Sequence, residues 1–153
     1  MPAPPRSNED CSIKRTLDVL GERWTLLVLR EAFYGVRRFD DLQRNIGCAR
    51  NILSRRLATL VAQGILRREP YREPKSRSRY EYRLTDKGLE LFPILIALMQ
   101  WGDRWAAYPH GPPVTVRHRG CEAAVEVVIQ CAAGHGPLTA RDTRPVLSAR
   151  SAA

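Results

Sequence analysis

Apolar residues in the first sixty positions recur at the three- and four-residue spacing of amphipathic helices. The segment 13–20 places its apolar residues on one face, and the segment 22–33 is apolar almost all round, which is typical of a buried central helix. Two shorter helices are predicted at 39–46 and 49–63, separated by Gly47. Two short helices joined by a tight glycine-containing turn form the helix-turn-helix pattern.

After Gly64 the apolar spacing changes from the helical period to an alternation of two. Residues 65–71 are predicted as one strand and residues 80–84 as the returning strand, with the polar stretch EPKSRSR between them. Pro70 implies that the first strand is an edge strand or has an irregular end. The pattern predicts a hairpin with a basic tip.

One long helix is predicted from Asp86 to about residue 108, with Thr85 as its N-cap. Its apolar residues form two stripes, and one small domain can cover only one of them. The other stripe has the spacing of a coiled-coil seam and predicts a subunit partner. Its members are Leu91, Ile94, Leu98, Trp101 and Trp105. Pro93 is expected to kink this helix or to start its main segment.

A proline- and glycine-rich boundary at 109–113 precedes an extension in which residues 114–116 and 125–129 are predicted as short strands. The fold class is therefore mainly α with a small β hairpin (α+β). It is a winged helix-turn-helix domain with a long C-terminal dimerisation helix and a small β-rich C-terminal extension. The expected divisions are a flexible N-terminus at 1–10, the winged domain at 11–108, the extension at 109–147 and a disordered tail at 148–153.

The positive charge is concentrated in the helix-turn-helix and hairpin. The chain has 25 basic and 16 acidic residues, a formal net charge of +9. Residues 37–83 contain thirteen basic and five acidic residues, a net charge of +8. Such a segment favours an anionic partner, most commonly nucleic acid and next a membrane surface. The excess of Arg over Lys suits contact with phosphate and guanine, but genomic base composition is the favoured explanation for it.

The second helix of the pair offers polar side chains opposite its apolar stripe. Asn, Ser and Arg in the N-terminal half of such a helix can bond adenine, phosphate and guanine in the major groove. The hairpin at residues 65–84 would be the wing of the domain, and its basic tip would lie over the DNA backbone or minor groove. The candidate DNA-binding residues are Arg38, Arg50, Asn51, Ser54, Arg55, Arg56, Lys75, Arg77 and Arg79. The alternative is an ordinary amphipathic helix with a solvated basic face.

The N-terminal residues contain no apolar run that could serve as a signal peptide, and the most apolar run, 89–101, is too short to span a bilayer. A cytoplasmic protein with no membrane partner is expected. Four scattered cysteines are too few for a secreted disulfide framework, so each is a free thiol, a sensor or a metal ligand.

Several motifs taken in order resemble the HxlR-type regulators, bacterial winged-helix transcription factors related to the MarR group. They are GERWTLLVLRE (21–31), RFDDL (38–42), LSRRLATL (53–60), GILRR (64–68), YEYRLTDKG (80–88) and WG (101–102). The resemblance covers Cys11 to about Trp105. It implies a homodimer formed largely by the terminal helices, which binds an inverted-repeat operator near a promoter, most often as a repressor.

Members of this family respond to different signals, and several sense electrophiles or oxidants through a cysteine just before the first helix. Cys11 occupies that place, and Lys14 and Arg15 one turn on favour its thiolate form. Cys48 directly precedes the proposed reading helix and is a weaker candidate. A small-molecule or electrophile inducer is therefore one expectation, and an unreactive residue at either position is the other.

The extension carries a zinc-like spacing, His118-x-x-Cys121 followed by Cys131-x-x-x-His135. Longer relatives in the family often have a Cys-x-x-Cys pair at the second position, which this chain lacks at Gly134. A degenerate zinc ribbon that folds without metal is therefore favoured over a zinc site, and no cofactor is expected.

Two other function classes compete with a DNA-binding regulator. An enzyme using zinc or a cysteine nucleophile would need a histidine near Cys11 or Cys48, and all three histidines lie in the extension. No phosphate-binding glycine loop or paired carboxylate motif supports an enzyme either. A winged-helix module that binds protein or RNA has the same fold, so it stays open.

Overall fold

The helices and strands follow the predicted order. The computed structural model describes residues 11–72, 79–106 and 109–146. Its elements are α1 (Ser12–Leu20), α2 (Arg23–Phe33), α3 (Phe39–Ile46), α4 (Arg50–Ala62), β1 (Leu66–Tyr71), β2 (Arg79–Leu84), α5 (Asp86–Leu89), α6 (Phe92–Trp105) and a 3₁₀ turn (Ala140–Asp142). The described residues divide into two compact units, 11–98 and 99–146, and the division falls inside α6. The functional boundary at residue 109 stays a prediction.

The core of the first unit is built by α2 and α4. No residue from 24 to 33 is exposed, which confirms α2 as the central helix. Three leucines at helical spacing on α4 are completely buried: Leu53, Leu57 and Leu60. The apolar stripe of α4 therefore faces inward, and its opposite face is left to solvent.

The apolar face predicted on α1 is only partly buried. Leu20 is 4% exposed, but Ile13 is 72% and Leu17 is 56% exposed. Val19 and Leu20 in the last turn of α1 pack with the core, whereas residues 12–18 are exposed.

The hairpin has the predicted antiparallel form, with a register that runs from Leu66 opposite Leu84 to Tyr71 opposite Arg79. Strand β2 is also bridged on its other side, where Tyr82 N donates to Arg37 O at 2.8 Å. Strand β1 is therefore the edge strand, in agreement with Pro70.

The single long helix predicted from Asp86 is wrong, because α5 ends at Leu89 and α6 begins at Phe92. The cap is confirmed, since Gly88 N donates to Thr85 Oγ1 at 3.1 Å. Pro93 is the second residue of α6, where its missing N–H leaves no helical hydrogen bond unmade. It starts the main segment, which was one of the two outcomes expected of it.

The extension is less regular than predicted. In place of strands at 114–116 and 125–129, its described residues contain one isolated bridge, Arg117 to Ala124. The side-chain amide of Gln100 donates to Val125 O at 2.8 Å and accepts from Val127 N at 3.1 Å. These two hydrogen bonds occupy the carbonyl of Val125 and the N–H of Val127. A neighbouring strand would need the same two groups, so no β-ladder forms at these residues.

The extension also lacks a core of its own. Across 109–146 no residue is buried, and Val128 and Ile129 are 60% and 61% exposed. Thr139 caps the 3₁₀ turn, and its side-chain and backbone hydrogen bonds hold the pKa of Asp142 below its usual value.

Two predicted segments, the flexible N-terminus at 1–10 and the disordered tail at 148–153, lie outside the described residues. Among the helices that are described, none is both long and apolar enough to cross a membrane.

Candidate nucleic-acid interface

Helices α3 and α4 form the helix-turn-helix. Helix α3 ends at Ile46 and is capped by Gly47, whose φ of +75° is in the left-handed region that favours glycine and whose N–H donates to Gln43 O at 2.8 Å. The turn lasts three residues, and α4 begins at Arg50. Leu42 of α3 is 1% exposed, so α3 contributes to the same core as α4.

The side of α4 opposite its buried leucines is exposed and polar, as the pattern predicts. It carries Asn51, Ser54, Arg55 and Ala58. Helix α4 has no acidic residue in its first turn, and its N-cap residue, Ala49, gives no side-chain cap, although Ile52 N donates to Asn51 Oδ1 at 2.9 Å. This face therefore offers donors and a positive helix end to an anionic ligand. The contacts of its side chains with bases stay a prediction.

Arg56 differs from the other candidates on α4. It is half-buried beside the apolar stripe, and its Nε is buried with no hydrogen-bond partner among the described residues. Arg55, one position earlier, is exposed. The structure therefore favours Arg55 over Arg56 as a residue that can reach a ligand.

Arg50 is held against α3 by three contacts. Its Nη1 donates to Asp40 Oδ1 at 3.0 Å and to Gln43 Oε1 at 3.1 Å. Its guanidinium also lies over the ring of Phe39, 4.7 Å from the centroid. These contacts place the charge of Arg50 at the junction of α3 and α4.

Two further arginines lie near this junction, Arg79 of the wing and Arg38, the N-cap residue of α3. Arg79 Nη1 lies 3.7 Å from Asp40 Oδ2. The guanidinium of Arg38 lies over the ring of Tyr71, 4.6 Å from the centroid. Two other wing candidates, Lys75 and Arg77, lie outside the described residues.

A cleft of about 540 Å³ separates the start of α3 from the wing. Its lining combines arginines, aspartates and aromatic rings: Arg38, Phe39, Asp40, Asp41, Arg50, Tyr71, Arg79, Tyr80 and Tyr82. Sequence reasoning did not foresee that Asp40 and three tyrosines join the candidate arginines here. The acidic first turn of α3 was visible in the sequence, but its cross-element partners depend on the tertiary fold.

At the base of the wing, arginines and glutamates pair with each other. Arg67 and Arg83 stand opposite each other in the register, as do Glu69 and Glu81. Both arginines instead pair with Glu69, Arg67 Nε to Oε1 at 2.7 Å and Arg83 Nε to Oε2 at 2.8 Å. The hydrogen bond to Glu81, with the charges of Glu69 and Glu81, raises the pKa of Arg83. These pairings engage Arg67 and Arg83 within the wing, but they leave the net charge of +8 unchanged, because the two glutamates are already subtracted in it.

The predicted dimerisation stripe on α6 is largely open. Leu91 packs against the core, whereas Ile94, Leu98, Trp101 and Trp105 are 42%, 51%, 65% and 70% exposed. On the neighbouring face Ile96 is 4% exposed. The two stripes thus differ in exposure, and dimerisation through the open stripe stays a prediction.

The cysteines nearest the interface differ in accessibility. Cys11 is the N-cap residue of α1, half-buried, and its carbonyl accepts from Arg15 N at 3.0 Å. Cys48 belongs to the core at 5% exposed. A buried thiol of this kind is shielded from reagents, so the structure favours Cys11 as the reactive candidate.

The extension holds two separate Cys–His pairs. His118 Nδ1 lies 3.2 Å from Cys121 Sγ, and Cys131 Sγ lies 3.3 Å from His135 Nδ1. The described residues nevertheless contain no group of three or more His, Cys, Asp or Glu side chains placed to hold a metal. As arranged, the two pairs do not fit a four-ligand zinc site.

Comparison with known proteins gives a consistent result. Residues 19–109 match the family model described as HxlR-like helix-turn-helix. The uncharacterized HTH-type transcriptional regulator Rv3095 of Mycobacterium tuberculosis (strain ATCC 25618 / H37Rv) is 46% identical over 134 residues, 88% of this chain and 84% of that protein.

Among solved structures, PA1607, described as a candidate transcription factor, is 40% identical with a TM-score of 0.78, over 90% of this chain and 94% of that chain. The redox regulator HypR in its reduced form is 30% identical with a TM-score of 0.56, over 64% of this chain and all of that one (100%).

Proposed function

The chain belongs to the HxlR-like helix-turn-helix family of transcriptional regulators, which bind DNA, and from this premise we propose that it acts as a homodimeric repressor. In this proposal, the dimer binds an inverted-repeat operator. Helix α4 enters the major groove, and the wing lies along the backbone or minor groove. Residues 11–108 carry binding and dimerisation, and residues 109–147 are an appendage.

The observation that carries the proposal is the exposed face of α4 with Arg79 of the wing beside its first turn. Arg55 is exposed on that face, and Arg50 and Arg79 approach the same carboxylate of Asp40. Exposed Asn, Ser and Arg on a recognition helix can bond base edges, whereas an arginine on the wing suits phosphate.

Selection of duplexes from a random library tests the proposal. The selected sequences should contain an inverted repeat whose half-sites lie about one helical turn, roughly 34–36 Å, apart. Placed upstream of a reporter, the repeat should lower expression only when the protein is present. Selection of single-stranded RNA in preference to duplex DNA, or of no nucleic acid, would instead support a winged-helix module that binds RNA or protein.

Arg55→Ala separates base reading from backbone contact. It should weaken binding to the selected operator by about 1–3 kcal/mol and leave binding to an unrelated duplex nearly unchanged. Arg141→Ala, an exposed arginine of the extension, is the matched control and should change neither. An equal loss on both duplexes would show that Arg55 contacts phosphate.

We further propose that Cys11 senses oxidants. It is the N-cap of α1 and half-buried, and HypR, a relative of similar fold, is itself named a redox regulator. Diamide should release the wild-type protein from its operator, and Cys11→Ser should stay bound. Cys121→Ser is the control and should respond like the wild type. Release of Cys11→Ser by diamide would reject the proposal.

A further inference from the structure

The carboxylate of Asp40 lies between two arginines from different elements of the interface. Arg50 at the start of α4 donates to Oδ1 at 3.0 Å, and Arg79 at the start of β2 approaches Oδ2 at 3.7 Å. We propose that Arg50 and Arg79 together bind one phosphate of the DNA backbone, and that Asp40 occupies this phosphate site in the free protein. The inference rests on the proposed function, because it assumes a DNA ligand.

The chemistry of the three groups supports an exchange of anions. A guanidinium pairs with a carboxylate or with a phosphate through the same N–H groups. Asp40 offers one oxygen to each arginine, as the two non-bridging oxygens of a phosphodiester would. One anion therefore joins the helix-turn-helix to the wing, either Asp40 or a phosphate.

The site is open enough for DNA to reach it. The side chains of Arg50, Asp40 and Arg79 are 64%, 60% and 55% exposed, and they line the cleft of about 540 Å³. Ion pairs that are this exposed contribute little to stability, so a phosphate can replace Asp40 without disturbing the core.

Arg50 stays in place when Asp40 is displaced. Gln43 Oε1 still accepts from its Nη1 at 3.1 Å, and Phe39 still lies beneath its guanidinium. The arginine is thus oriented before the phosphate arrives. Asp41, the next residue, pairs with Arg44 instead, so its charge is directed to a different partner.

Asp40 should therefore lower affinity for DNA of any sequence. Asp40→Asn removes the competing charge while keeping the size of the side chain. It should strengthen binding to a duplex of arbitrary sequence about fivefold near 0.15 M salt, and steepen the slope of log K against log salt by about one.

The test measures binding of a labelled duplex of arbitrary sequence across a salt series. Asp41→Asn is the matched control, since it removes the same charge from the same first turn of α3 and should change affinity less than twofold. The gain of Asp40→Asn should disappear when Arg79→Ala is added. Equal effects of the two asparagine variants, or a gain that survives Arg79→Ala, would overturn the inference.

Two further outcomes separate the inference from the proposed function. If the wild-type protein binds no duplex at any salt concentration, the proposed function itself fails. Thermal unfolding of Asp40→Asn in inorganic phosphate and in chloride at equal ionic strength tests for a free anion. A rise in Tm in phosphate without tighter duplex binding would mean that the site takes free phosphate, and would overturn the assignment to DNA.

Discussion

Gly88 lies against the carbonyl oxygen of Ile65, and there is no room for a methyl group between them. The same oxygen accepts hydrogen bonds from Thr85 N at 3.0 Å and from Thr85 Oγ1 at 3.1 Å. The start of α5 is therefore packed against Ile65, the residue that precedes β1. This contact connects the two ends of the wing, since β2 leads directly into Thr85.

Gly88→Ala should lower the free energy of unfolding by about 1–3 kcal/mol, because the added methyl group forces the backbone of Ile65 away from Thr85. Urea unfolding at fixed protein concentration measures the change. Gly102→Ala on α6 is the control, since nothing lies within 4 Å of the added methyl group. It should raise stability by up to about 1 kcal/mol, as alanine does in a helix. Equal effects at both positions would contradict the steric argument.

Thr25 presents the opposite situation, a polar group whose removal should stabilise the protein. Its side chain is 0% exposed, and its hydroxyl has no hydrogen-bond partner within the described part of the chain. Thr25→Val keeps the shape and the β-branch, so it should raise the free energy of unfolding by about 1 kcal/mol.

The control for Thr25 is Thr16→Val on α1, where the hydroxyl is exposed and donates to Ser12 O at 2.9 Å. Its stability should change by less than about 0.5 kcal/mol. Destabilisation by Thr25→Val would show that the buried hydroxyl has a partner such as an ordered water.

The helix-turn-helix and the hairpin could be predicted because short-range signals agree there. Gly47 ends α3, and the leucines of α4 repeat at helical spacing. The break between α5 and α6 was expected only as one of two outcomes, because a proline such as Pro93 can either kink a helix or start a new one. The irregular extension was missed because Gln100, from another element, takes backbone hydrogen bonds that a strand would use.

Single residues of the candidate interface were predictable, but their pairing was not. The exposure of Arg55 follows from the period of α4. The approach of Arg79 to Asp40 joins residues far apart in sequence, and only the fold brings them together. The charge of the segment follows from the sequence, but the pairing of Glu69 with Arg83 does not, because Arg83 lies on the other strand of the hairpin.

The basic residues of the wing should supply affinity rather than sequence choice. Replacement of Lys75, Arg77 and Arg79 together by alanine should lower the affinity of the protein for the operator and for an unrelated duplex by nearly the same factor. The slope of log K against log salt should become shallower by about 0.9 for each phosphate that the protein no longer neutralises. Fluorescence anisotropy over a salt series measures both quantities. A loss confined to one operator variant would show that the wing reads sequence.

The exposed stripe on α6 should be the dimer interface. Leu98→Glu should convert the protein from dimer to monomer in sedimentation, because a charge placed among Ile94, Trp101 and Trp105 would be buried without a partner. Leu89→Glu is a matched control: both leucines are 51% exposed, but Leu89 lies on α5 outside the stripe.

The monomer made by Leu98→Glu should also lose most of its operator affinity, since only one half-site can be held at a time. Its binding to a single half-site should match that of the control, because α4 and the wing are unchanged. If Leu98→Glu remains dimeric while Leu89→Glu dissociates, the stripe on α6 is not the interface. The dimer would then have to use another surface, such as the exposed Ile13 and Leu17 of α1.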